Sequence, residues 1–196
     1  MDAANIDLKA FTDDFYRKVA FAKLGVVLDT LDYLRHETDV WFEITTLLIP
    51  GHNDSDAEIA EQCGWLVEHL GTDVPLHFTA FHPDFKMRDV PATPPATLRR
   101  ARRIALEHGL RYVYTGNVHD PDGQTTRCPS CREPVVVRDW YVLRDYGLTD
   151  DGHCVHCGAP VHGVYAGPAG DWGSRRQPIR LAGPVPVGAP TRRRNA

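Results

Sequence analysis

Four cysteines in two C-x2-C pairs, Cys128-Pro129-Ser130-Cys131 and Cys154-Val155-His156-Cys157, carry the clearest chemistry in this chain. Two intervening residues let one tight turn aim both sulfurs at a single ion, and two such turns complete a tetrahedral thiolate site. The segment between the pairs is too small for much core of its own, so structural zinc is the favoured occupant. Four thiolates also suit iron, and an iron–sulfur cluster or four unrelated free thiols are the alternatives. Gly158 follows the second pair and lets backbone N–H groups approach the sulfurs; Arg132 holds that place after the first. His153 and His156 read as exposed neighbours. Cys63 falls on the apolar face of a helix and reads as a buried thiol.

A second set of chemistry-bearing residues stands where apolar runs end. These are Asp7-Leu8-Lys9, Pro50-Gly51-His52-Asn53-Asp54, Phe81-His82-Pro83 and Gly116-Asn117-Val118-His119-Asp120. Asp7 and Lys9 are two apart on a strand and share a face, as do Glu43 and Thr45, and His77 and Thr79. Alone, Asp7 and Lys9 could be an ion pair that satisfies itself, and His82 a structural hydrogen-bonder. Converging on one rim, they would form a site.

The elements that must position these residues alternate. Strands are predicted at Asn5–Ala10, Val40–Ile49, Leu76–Phe81 and Arg111–Thr115. Helices are predicted after Thr12, over Val26–Arg35, after the capping box Ser55-Asp56-Ala57-Glu58, and from Thr93-Pro94 to Gly109. Such alternation means β-α-β crossovers and a parallel sheet, whose strands all point their carboxyl ends to one side. Four strands make the C-terminal half of a partial (β/α) barrel over residues 1–120. Residues 121–163 form a zinc-ribbon-like module with a hairpin in Val135–Leu148. Residues 164–196, rich in Arg, Pro and Gly, are expected to be a disordered tail.

Composition narrows the function classes. The net charge is −4, but residues 172–196 hold six arginines and no acid, which leaves −10 for the rest. An acidic body, with no basic patch around the cysteines, disfavours nucleic acid. No membrane span or export signal is read, so a cytoplasmic, reducing location is expected; the sequon at Asn53-Asp54-Ser55 is then irrelevant.

The strings Asn5-Ile6-Asp7-Leu8-Lys9, Glu43-Ile44-Thr45-Thr46-Leu47-Leu48-Ile49-Pro50-Gly51-His52-Asn53-Asp54, His77-Phe78-Thr79-Ala80-Phe81-His82-Pro83-Asp84-Phe85-Lys86-Met87 and Tyr112-Val113-Tyr114-Thr115-Gly116-Asn117-Val118-His119-Asp120 together resemble the radical S-adenosylmethionine enzyme of the AmmeMemoRadiSam system. That family is a relative of the pyruvate formate-lyase activating enzymes. The resemblance implies a partial barrel that holds a [4Fe–4S] cluster and S-adenosylmethionine. It matches Asp7 and Lys9 to the Asp-x-Lys contact with the ribose and methionine parts of the cofactor, and His82 to the histidine near the adenine. Asn53, Asn117 and His119 fall at the rim with no role implied.

The family's C-x3-C-x2-C cluster motif and the glycine-rich strand after it are not found in these residues. The expectation is therefore the C-terminal portion of such an enzyme, from a truncated gene model, a split gene or a degenerate copy, and inactive alone. Its expected partner is a missing N-terminal half or, through open strand edges, a second copy. A zinc-ribbon interaction module on a non-catalytic α/β scaffold is the alternative. A metal hydrolase using His77, His82, His119 and Asp120 is a weaker one, because no H-x-H or H-E-x-x-H pair is present.

Overall fold

A computed structural model of the chain describes residues 1–165, 167–170, 173 and 175. It divides into two compact units, Met1–Gly123 and a second that begins at Gln124.

The first unit is built on a four-stranded parallel sheet in sequence order: β1 (Ala3–Asp7), β2 (Trp41–Leu48), β3 (Leu76–Ala80) and β4 (Val113–Gly116). Helices α2 (Leu24–Glu37), α3 (Asp56–Leu70) and α4 (Pro95–Glu107) connect consecutive strands. The expected parallel α/β arrangement is therefore observed, with each strand a residue or more shorter than its apolar run.

Strict alternation makes the sheet two-faced. Phe42, Ile44, Thr46 and Leu48 of β2 are buried, while Trp41, Glu43, Thr45 and Leu47 between them are half-buried. The buried face continues through Leu76, Phe78 and Ala80 and meets Ile59, Cys63, Leu66 and Leu70 of α3 and Leu98, Ala101 and Ala105 of α4. Phe78 has no exposed surface and is the largest fully buried side chain. Burial of a side chain like this contributes roughly 1.5–3 kcal/mol, and together such residues hold the unit.

Local signals set the helix ends. Ser55 Oγ caps α3 by accepting from the Glu58 N–H at 3.3 Å, and Gly71, with φ of 84°, stops it. The capping box is only half made. The Glu58 carboxylate accepts from the Phe11 N–H at 2.7 Å, tying the loop after β1 to α3, and burial pushes its acid up from the ordinary carboxylate range. Thr12 caps the short helix α1 (Asp13–Phe15), which runs into a π-helical turn at Tyr16–Ala20.

The second unit is a three-stranded antiparallel sheet, β5 (Thr126–Arg127), β6 (Pro134–Asp139) and β7 (Val142–Tyr146), so the expected hairpin is present. Its described residues include Tyr165, whose ring lies so close to Gly152 and Gly163 that a Cβ on either would collide with it. Most of the segment expected to be a disordered tail lies outside the described residues. Among the described residues, no helix is long and apolar enough to cross a membrane.

Candidate functional site

The four cysteines come together, with all four Sγ atoms within 4.8 Å of one another. Each pair sits on a turn of the same design. Arg132 N–H donates to the Cys128 carbonyl at 3.0 Å, and Gly158 N–H donates to the Cys154 carbonyl at 2.8 Å. Cys128 N–H reaches the Glu133 carbonyl and Cys154 N–H the Ala159 carbonyl, both at 2.9 Å. Both closing residues are left-handed, Arg132 at φ 65° and Gly158 at φ 73°, so the arginine adopts the conformation that the glycine adopts without strain.

The sulfur spacing tests what could sit between them. Four sulfurs at ~2.3 Å from one ion would lie about 3.8 Å apart along each tetrahedral edge. Cys128 to Cys157 and Cys131 to Cys154 are each 3.7 Å. This fits a single tetrahedral ion. It does not fit a multi-iron cluster, whose own atoms would force the thiolates apart. The Cys131 thiol is drawn toward ionisation by a backbone hydrogen bond from Glu133. Burial and the neighbouring sulfurs of Cys157, Cys128 and Cys154 outweigh that bond and push the thiol up to about 12. Four sulfurs this close cannot all ionise without a cation among them. His153 pairs with Asp151 at 3.1 Å and His156 is exposed, so neither joins the set. Cys63 is fully buried, as its place on α3 predicts, and burial raises its thiol to about 12.

At the carboxyl ends of the parallel strands, the other predicted residues have more varied fates. Lys9 Nζ and Asp7 Oδ2 are 2.7 Å apart, both side chains about half exposed. The Lys9 N–H donates to the Tyr16 hydroxyl at 3.1 Å, from the start of the π-helical turn. Burial pushes the Tyr16 phenol up, that hydrogen bond opposes the shift, and the Asp7 charge adds to it. His82 is exposed just beyond β3.

Asn53 is buried and ties strand ends together: its Oδ1 accepts from the Ile49 N–H at 2.6 Å, and its Nδ2 donates to the Lys9 and Leu47 carbonyls at 2.6 and 2.9 Å. Asn117 is left-handed, and its Nδ2 donates to the Ala80 carbonyl at 3.1 Å. Thr93 Oγ1 donates to the Leu48 carbonyl at 2.5 Å and accepts from the Phe81 N–H at 3.0 Å. These polar residues satisfy the rim's own backbone. Asp120 accepts from Thr115 Oγ1 at 3.0 Å, and His119 is exposed. Among the described residues only the four cysteines form a cluster able to hold a metal, so the hydrolase reading finds no metal centre.

One constellation was not foreseen. On the half-buried face of the sheet, His77 Nε2 lies 2.6 Å from Glu43 Oε2, and Trp41 Nε1 donates to Glu43 Oε1 at 3.2 Å. The Tyr114 ring packs against the imidazole, with centroids 5.0 Å apart. Alternation placed Glu43 and His77 each on a face; only the β2–β3 register, with Thr45 opposite His77, brings them together.

No family model matches the chain. It is 40% identical over 162 residues to an uncharacterized protein of Methanocaldococcus jannaschii, a match covering 82% of this chain and 48% of that protein. The chain thus spans about half the length of the curated relative it matches. Among solved structures, a domain of pyruvate-formate lyase-activating enzyme from Bacteroides vulgatus matches with a TM-score of 0.51 at 17% identity, over 59% of this chain and 68% of that one. At that identity the likeness is one of fold.

Proposed function

We propose that the chain provides the C-terminal portion of a radical S-adenosylmethionine enzyme of the AmmeMemoRadiSam type, with Asp7, Lys9 and His82 as part of the cofactor rim. The observation that carries this reading is the Asp7–Lys9 pair at the carboxyl end of a parallel strand, in a fold shared with an activating-enzyme domain. Asp7 offers an acceptor for hydroxyl or ammonium groups, Lys9 a partner for a carboxylate, and His82 a planar ring with a donor. When bound, S-adenosylmethionine would supply the sulfonium group whose reductive cleavage gives the family its chemistry.

The cluster does not fit these residues. No three cysteines stand at C-x3-C-x2-C spacing, and the four that gather are too close for it. No radical-forming step is therefore assigned to them. Cluster ligands would have to come from residues beyond these, and strands that carried them could pair along the open edge of β1. In the second unit, Cys128, Cys131, Cys154 and Cys157 hold zinc in a structural role.

Binding by these residues alone should be weak. Each exposed hydrogen bond contributes ~0.5–1.5 kcal/mol net, the Asp7–Lys9 pair must rearrange, and association costs at least ~4 kcal/mol. Calorimetry should give millimolar affinity for S-adenosylmethionine or none, and anaerobic incubation with a reductant should yield no 5′-deoxyadenosine. Micromolar binding or turnover would show a complete active site and overturn the reading.

The alternative, a zinc-ribbon interaction module on a non-catalytic scaffold, draws support from the Asp7–Lys9 pair being satisfied by itself and from exposed Trp140 and Tyr141 between β6 and β7. It predicts that Asp7→Asn leaves any cofactor binding unchanged.

A further inference from the structure

The geometry points to a second ligand-facing group on the same sheet face. We propose that His77, oriented by Glu43, presents the lone pair of its Nδ1 to a small molecule bearing a hydroxyl or amino group. The inference deepens the reading above and rests on it: Asp7, Lys9 and His82 face the cofactor, and His77 faces its co-substrate.

Chemistry fixes which nitrogen faces the ligand. At 2.6 Å from a carboxylate oxygen, Nε2 must carry a proton, because a bare lone pair there would repel Glu43. Glu43 is itself held by Trp41 Nε1, and the Tyr114 ring fixes the imidazole plane. In the neutral ring Nδ1 is then an acceptor, and no described residue bonds to it. A carboxylate behind one nitrogen and an open position at the other is the arrangement that orients an imidazole as a base. Taking a proton from a ligand O–H or N–H would leave the ring as imidazolium, its charge balanced by Glu43.

The sheet register supplies the spacing. Asp7 is opposite Thr45, Thr45 opposite His77, and His77 opposite Tyr114, so all four lie in one row on one face. His77 lies two strands from Asp7, about 10 Å away. That is too far for both to grip one hydroxyl, and close enough for two ligands side by side or two ends of one. The His77 side chain is 27% exposed, so a small molecule can reach it. Both carboxylates in this set are acceptors, which selects a donor-bearing ligand. Glu43 acts through His77 and is a positioning residue.

The experiment uses the full chain at mildly alkaline pH, where imidazoles are neutral, and two probes. Imidazole nitrogen resonances of the ¹⁵N-labelled protein should show His77 as the Nε2–H tautomer with a bare Nδ1. Diethyl pyrocarbonate, which acylates a histidine ring only at a bare, accessible nitrogen, should label His77 at a rate within a few-fold of a free imidazole. Glu43→Gln keeps an acceptor for Nε2–H but removes the charge, so labelling should slow several-fold. An unlabelled His77, a proton on Nδ1, or an unchanged rate in Glu43→Gln would overturn the proposal. If that variant fails to fold, the two measurements on the unsubstituted chain still decide. Adding S-adenosylmethionine separates the two readings. A His82 resonance that moves at millimolar cofactor supports the cofactor rim, whereas the tautomer and labelling of His77 bear on this inference alone.

Discussion

The two units solve the same problem in opposite ways. In Met1–Gly123, a sheet and three helices bury a continuous apolar cluster from Leu8 to Val113; β2, β3 and β4 contribute to it, and Ala4 and Ile6 of β1 pack against it. In the second unit, buried apolar side chains are few, Val135, Leu148 and Val161 among them, and two of the best-buried residues are the thiols Cys128 and Cys154. One unit is held by area removed from water, which scales with size. The other concentrates its cohesion at four sulfurs. The difference teaches where each should break.

The largest expected effect is on the second unit. Removing the metal with a chelator, or Cys131→Ser, should unfold it and leave the helical signal of the first unit nearly intact. Structural zinc sites of this kind carry roughly 10–16 kcal/mol of binding energy that is also folding energy. Circular dichroism with amide exchange of β6 and β7 checks this. Equal loss of α3 and α4 would show one cooperative body and break the comparison.

Next in size is the converse change. Phe78→Ala should cost the first unit about 3–5 kcal/mol by leaving a cavity under α3 and α4. Metal content should not change, and denaturant unfolding followed at both units checks that.

Asn53→Ala should cost about 1–3 kcal/mol, because it leaves the Ile49 N–H and two carbonyls without their partner. The loops after β1 and β2 should exchange amide protons faster while β3 and β4 stay protected. The smallest effect should be a gain. Arg132→Gly removes a left-handed arginine and should stabilise the second unit by up to about 1–2 kcal/mol. A loss would show that the Arg132 side chain contributes more than its backbone costs.

Legibility from sequence followed the range of the interaction. The cysteine turns are set by residues within five of each other, so spacing alone exposed them. The stripe Ile59, Cys63, Leu66 and Leu70 marked α3, and Gly71 its end, for the same reason. Asn53 and Asn117 looked like candidates for chemistry because polar residues at strand ends often are. They turned out to bond carbonyls of neighbouring strand ends, contacts that no local pattern reveals. The capping box failed on its second half because Phe11, 47 residues away, competes for Glu58. Glu43 and His77 are 34 residues apart, and period-2 alternation gives each a face but not the register that pairs them.

The contrast between the units turns on what sits among Cys128, Cys131, Cys154 and Cys157, and elemental analysis after anaerobic purification tests it most directly. The prediction is about one zinc per chain, with four sulfurs at ~2.3 Å by X-ray absorption, and loss of β6 and β7 when it is removed. Iron and sulfide at several equivalents per chain, or a second unit that keeps its structure with no metal at all, would contradict it.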